Sequence, residues 1–227
     1  MFRLLVIFLV FFTYSCSSFN TEPKYTIRTF NKNDPKILLM PVDIEICELT
    51  IAGMCEPSAS WTQNSKNNII TSFKEILAKR NAVLIEYKEN NENDHLIQLI
   101  KLHTQIGQEI INNEYGPFEL PTKKEFNWSM GRKVNSLKKK YKSDYAIFIY
   151  FRDQYSSTER VIYNIVTAVL FPGIIPMGGS QLAFASLVNL TNGEITWFNG
   201  YYRSFGDVRS LEKARGTVNK LFEEFPG

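Results

Sequence analysis

Apolar residues along this chain fall into two patterns: short unbroken runs of strand length, and stripes recurring every three or four positions. Residues 36–42 (KILLMPV), 82–87 (AVLIEY) and 144–151 (DYAIFIYF) are runs; the first and last of these read as strands buried on both faces. Residues 181–190 and 194–202 read as two more strands, joined through Asn192-Gly193, a strong hairpin signal. Stripes mark the helices. Over 61–79, capped by Ser60, the residues Trp61, Ile69, Phe73, Ile76 and Leu77 share one side, with Lys66, Lys74 and Lys79 off it. A helix starting at 91–94, acidic in its first turn, lines up Leu96, Ile100, His103, Ile110 and Ile111. Beyond the breaks at Gly116-Pro117 and Pro121, Thr122 and Glu125 stand at capping-box spacing before Phe126, Met130, Val134, Leu137 and Tyr141. Ser210 caps a last helix with Leu211, Ala214, Val218, Leu221 and Phe225 inward.

The order β-α-β-α-α-β-insert-β-β-α predicts an α/β (α+β) single domain over residues 36–227. Its mixed β-sheet has about five strands, flanked by helices and closed by the C-terminal hairpin and helix. Two stretches fit neither pattern. Residues 43–60, with Gly53 and Pro57 as breakers, read as an irregular segment that opens on an acidic loop at 43–48. Asp43, Glu45 and Glu48 there follow a strand, where α/β enzymes often carry catalytic groups; were the strand to continue, Asp43 and Glu45 would share a face. The plain alternative is a solvated loop.

The second stretch is an apolar insertion at 156–180. Residues 160–171 are apolar almost all round, and the bent run PGIIPMGG follows them. Such a helix is too short to span a bilayer and must be covered by the domain core, by a partner or second copy, or by a membrane surface. With Val161, Ile165 and Val169 facing the core, Ile162, Val166 and Leu170 form an outward, partner-binding stripe.

The leader changes the picture more than composition does. Arg3, an apolar run from Leu4 to Phe12 and the short polar segment Thr13-Tyr14-Ser15 have the order of an export signal over residues 1–15. Cys16, followed by Ser17-Ser18, resembles the cleavage and lipidation site of bacterial lipoproteins. The resemblance implies an acylated (palmitate-bearing) mature N-terminus held in a membrane, with residues 16–35 as a flexible tether. A secreted protein cut nearby and an uncleaved anchor are the other readings. The net charge of +3 gives no footing for nucleic acid.

Cys47 and Cys55 either close a small disulfide or remain two free thiols; no second ligand pair stands at zinc-finger spacing. His95 and His103 are two turns apart on one predicted helix, too far to hold one ion. No phosphate loop, nucleophile elbow or zinc-protease helix occurs, and no cofactor or metal is expected. The basic group Arg132, Lys133, Lys138, Lys139, Lys140 and Lys142 suits a helix C-terminus, or else contact with anionic headgroups beside the anchor.

KILLMPVDIEICELTIAGMCEPSASWT resembles the opening of a family of uncharacterised bacterial envelope lipoproteins, and DYAIFIYFRDQYSS and SLVNLTNGEITWFN resemble its closing strands. More distantly, the plan is similar to curli-secretion lipoproteins and to the lipoprotein activators of penicillin-binding proteins. The resemblance implies a small α/β domain for assembly and protein contact in the periplasm, with no catalytic residues to carry over. The expected function is a membrane-anchored, non-enzymatic binding or assembly component of the cell envelope, with an envelope protein or a second copy as partner. An envelope enzyme using 43–48, or a subunit of a curli-type export pore, is the alternative. Residues 160–175 lack the alternating polarity of a pore strand.

Overall fold

A computed structural model describes residues 25–26, 30, 34–80, 82–87, 93–116, 120–122, 125–171, 178–204 and 206–226. In chain order the strands are β1 (Tyr25–Thr26), β2 (Lys36–Leu39), β3 (Asp43–Leu49), β4 (Cys55–Pro57), β5 (Val83–Glu86), β6 (Tyr145–Ser156), β7 (Gln181–Asn189) and β8 (Ile195–Arg203). The helices are α1 (Ala59–Leu77), α2 (Asn93–Ile110), α3 (Asn135–Tyr141), α4 (Thr158–Leu170) and α5 (Leu211–Leu221).

The eight strands of the described residues join one mixed sheet in the order β1-β8-β7-β6-β2-β5, with β3 branching off β6 and β4 pairing β3. Strand β6 is its axis. Tyr145, Ile147, Ile149 and Phe151 face α1 and α5, packing with Ile69, Phe73, Leu77, Val218 and Leu221. Ala146, Phe148 and Tyr150 face the other way, toward Leu96, Leu99, Val134 and Leu137 of α2 and the α3 region. Burial on both faces is why this stretch reads as an unbroken apolar run. Gly107 lets α2 lie close to the sheet, since a Cβ there would come 2.0 Å from the Phe184 ring.

The mixed-sheet architecture is as expected, with three strands more than the sequence pattern suggested. Segment 43–60 is not a loop. Strands β2 and β3 run as one line along β6, Leu39 opposite Ile147 and Asp43 opposite Tyr150, with a one-residue bulge at Met40-Pro41-Val42. Pro41, which has no N–H to give, sits where the ladder breaks. Strand β3 turns back antiparallel into β4, and Cys47 and Cys55 join as a disulfide with Cα atoms 5.4 Å apart, settling the open choice. Ser58, not Ser60, caps α1, its hydroxyl accepting from Trp61 N.

Helix formation from Thr122 is also overturned. Trp128 and Met130 are buried while Asn127, Ser129 and Gly131 are exposed, an alternation of period two hidden inside the 126/130/134 spacing. This stretch runs beside the β7–β8 turn, Met130 N donating to Gly193 O and Ile195 N to Trp128 O, and helix begins only at Arg132. That turn is wider than two residues. Gly193 N donates to Asn189 O, and Gly193 alone in it has a positive φ (+83°).

Residues 1–24, which hold the expected leader and Cys16, lie outside the described residues. Within the expected tether, Tyr25–Thr26 pairs with Trp197 and Phe198 of β8, and Phe30 packs on Tyr145 and Phe225. The domain therefore takes hold of the chain before residue 36.

Candidate functional site

The sheet has two distinct ends, and the candidate site lies at the one where β6 and β8 finish. Asp153, Gln181 and Arg203 stand side by side there in neighbouring strands. Gln181 Nε2 and the Tyr155 hydroxyl (2.6 Å) both donate to Asp153 Oδ2. Gln181 Oε1 accepts from the Tyr201 hydroxyl (2.9 Å) and from Arg203 Nε (2.7 Å), and Arg203 Nη2 reaches Thr217 Oγ1. Burial pushes the Asp153 carboxyl up to about 6, against the pull of both hydrogen bonds and of Arg203. A cleft beside this network is lined by Tyr155, Arg203, Asp207, Arg209, Lys213 and Thr217. Arg209 stacks 3.8 Å from the Tyr155 ring centre and 4.8 Å from that of Trp61, and it pairs with Asp207, which also holds Lys213. These bonds clamp the segment after β8 onto the sheet, and the polar groups satisfy one another.

Helix α4 rises from this end. Ser157 caps it by accepting from Arg160 N, and Arg160 Nη1 donates to Thr50 O and Ile51 O of the β3–β4 turn. The helix buries no residue. Its partly covered positions are Arg160, Asn164 and Thr167, a polar stripe at helical spacing. Its apolar side chains face out, with exposures from 45% (Val161) to 73% (Val169), and with Ile162, Tyr163, Ile165, Val166, Leu170 and Phe171 between those limits. The helix is thus inside out relative to an ordinary surface helix.

This corrects the expected split. Ile162, Val166 and Leu170 do face outward, but so do Val161, Ile165 and Val169, so α4 has no core face. Ile51 and Met54 on the adjoining β3–β4 turn are exposed as well, which widens the apolar surface. Residues 172–177 of the expected insertion lie outside the described residues.

The other candidates are placed elsewhere or are occupied. Asp43 Oδ1 pairs with Arg152 Nη2 at 2.7 Å, and its Oδ2 accepts from Thr104. Arg152 also donates to Asp43 O and lies over the Tyr150 ring, so Asp43, half-buried at the head of 43–48, is charge-paired in place. Glu45 is exposed. Burial holds His103 down to about 3, its Nε2 2.9 Å from Ser186 Oγ and its ring stacked on Phe148, while His95 is exposed. The basic group lies at the opposite end of the sheet, where Lys138 Nζ meets Thr191 Oγ1. It therefore does not flank α4.

Two features escaped the sequence reading. The Arg160, Asn164 and Thr167 stripe was visible as the polar positions inside an apolar run. The Asp153–Gln181–Arg203 row gave no local signal, because it forms only through strand register.

No protein family matches the sequence, and no curated protein does. Among solved structures the chain is similar to the PelC dodecamer from Paraburkholderia phytofirmans, at 9% identity over 91% of this chain and 100% of that one, with a TM-score of 0.43. It is similar to lipoprotein GNA1162 from Neisseria meningitidis at 12% identity over 74% of this chain and 81% of that one, TM-score 0.32. It is also similar to the LpoB C-terminal domain from Salmonella enterica at 12% identity over 77% of this chain and 87% of that one, TM-score 0.30. Likeness at this level carries nothing about activity, partners or assembly.

Proposed function

We propose that this chain is a lipid-anchored lipoprotein of the bacterial cell envelope, facing the periplasm and acting as a non-enzymatic binding or assembly component. The observation that carries the binding role is α4, a helix whose polar stripe turns to the domain and whose apolar side chains turn to solvent. Exposed apolar surface of this kind marks a contact surface. The export-type leader and Cys16 supply the compartment and the anchor. The engagement of Asp43 by Arg152 and Thr104 weakens the case for an enzyme built on 43–48. The helical state of 158–170 gives the pore alternative no strand at that position.

Two measurements test the reading. Mass spectrometry of the mature N-terminus is expected to find a diacyl or triacyl cysteine at position 16; an unmodified N-terminus at another residue overturns the anchor. A photo-crosslinker at position 169 in intact cells is expected to form an adduct with an envelope component. The absence of any adduct overturns the binding role.

A further inference from the structure

We propose that α4 is a second membrane contact, its outward side chains seated among lipid acyl chains at the surface to which the protein is tethered. This rests on the reading of the chain as an envelope protein and names the occupant of the exposed apolar surface.

The width of that surface favours lipid over a protein partner. Positions 161, 162, 163, 165, 166, 168, 169 and 170 cover roughly 220° of the helix circumference at 3.6 residues per turn. One packed helix or sheet covers a much narrower stripe, whereas acyl chains wrap whatever arc is offered. At 1.5 Å per residue the 13 residues of α4 extend about 20 Å. That is short of the roughly 30 Å of a bilayer core, so the helix enters one leaflet and does not cross. Tyr163 and Phe171 supply the aromatic rings that settle at the membrane interface.

The direction of the N-terminal chain agrees. Tyr25 pairs with Phe198 and Thr26 with Trp197, antiparallel, so the chain before Tyr25 leaves toward the Arg203 end of β8. That is the end from which α4 rises, since Gln181 pairs both Arg203 and Asp153, three residues before β6 ends. Cys16 stands nine positions before Tyr25, a reach of about 30 Å when extended. The chain that follows Cys16 therefore enters the sheet from the end at which α4 rises. Charge plays little part. The helix carries only Glu159 and Arg160, and the basic group 132–142 is at the far end. Binding through α4 should therefore depend weakly on salt and on anionic lipid.

The test uses the full chain with an environment-sensitive fluorophore on Val169→Cys, or on Ser136→Cys at the far end as control. The vesicles are phosphatidylcholine with a minority of phosphatidylglycerol, with or without acyl-chain spin-labelled lipid. The label at 169 is expected to brighten severalfold and to be quenched by the spin label, in low and high salt alike, while the label at 136 does neither. Ile165→Asp with Val166→Asp should reduce vesicle binding of the Cys16→Ser chain by roughly tenfold or more while its melting temperature holds. An unquenched label at 169 on vesicle-bound protein overturns the proposal. So does disulfide linkage of two copies through position 169, which makes the occupant a second copy. A missing acyl group at Cys16 with quenching retained at 169 overturns the anchor and leaves this inference standing.

Discussion

Replacing Asp153 by Asn should stabilise the domain at neutral pH and lose that advantage in acid. Asp153 is buried, and its Oδ2 accepts from the Tyr155 hydroxyl and from Gln181 Nε2. An asparagine has the same shape and keeps an oxygen for both donors, but it carries no charge. Burial raises the folded carboxyl from 3.8 to about 6. Between those values the folded protein binds a proton that the unfolded chain has lost, so stability from this group is full below 3.8 and falls as pH rises. Above about 6 the loss is complete, about 3 kcal/mol, the cost of keeping the carboxylate charged in its site. Urea unfolding of both proteins across pH 4 to 8 reads the difference between them.

Comparing the two removes the other titrations. His103, held down to about 3, withdraws stability as pH falls below 6.5, and Asp207, held down to about 2, withdraws it as pH falls below 3.8. Both are common to the pair. The advantage of the Asn variant should therefore grow by about 2.4 kcal/mol from pH 4 to pH 7.5, the rest of the change lying below pH 4. A difference that does not change with pH refutes the reasoning and makes Asp153 an ordinary ionised partner of Arg203.

Three further outcomes follow from the packing. Ile162→Ser with Val166→Ser, and Val161→Ser with Ile165→Ser, should both unfold within about 0.5 kcal/mol of the parent by calorimetry, as all four residues are exposed; unfolding by the second pair would place a face of α4 in the core. Gly193→Val should cost more than about 2 kcal/mol, because a Cβ at φ +83° would come 2.2 Å from Gly131 O; an unchanged melting temperature would contradict the observed turn. Cys47→Ser should cost about 2–3 kcal/mol in urea under oxidising conditions, as expected for a loop eight residues apart in sequence; equal stability of parent and variant would mean that the thiols are unpaired.

How much was legible depended on how local the cause was. Strand β6 was plain because its two-sided burial requires an unbroken apolar run, and α1 and α5 because each buries one stripe against the sheet. Segment 43–60 hid its strands because β3 carries three acids, each tolerated for a tertiary reason: Asp43 by Arg152, the other two by partial or full exposure. Residues 126–130 satisfied both a helical and an alternating pattern, and only their docking on the β7–β8 turn decides between them. The Asp153 network could not be read at all. Its members are 28 and 22 residues apart in sequence and meet through register alone.

The exposure of Val161, Ile165 and Val169 contradicted the core face expected of α4, for a physical reason with consequences for function. Hydrophobicity predicts that a side chain leaves water, but not which neighbour replaces the water. In α1 and α5 the domain supplies the neighbour, and none of their charged residues is buried. In α4 the order is reversed: Arg160 is spent on the carbonyls of Thr50 and Ile51, and Asn164 and Thr167 lie on the same covered side. The domain therefore holds the helix by its polar edge and gains almost nothing from its apolar residues. Folding and surface contact are separable here, which is rare for so many large aliphatic side chains. Substitutions along 161–170 should consequently change where the protein resides and leave its unfolding curve in place, whereas substitutions in the Asp153 row a few residues away should do the opposite.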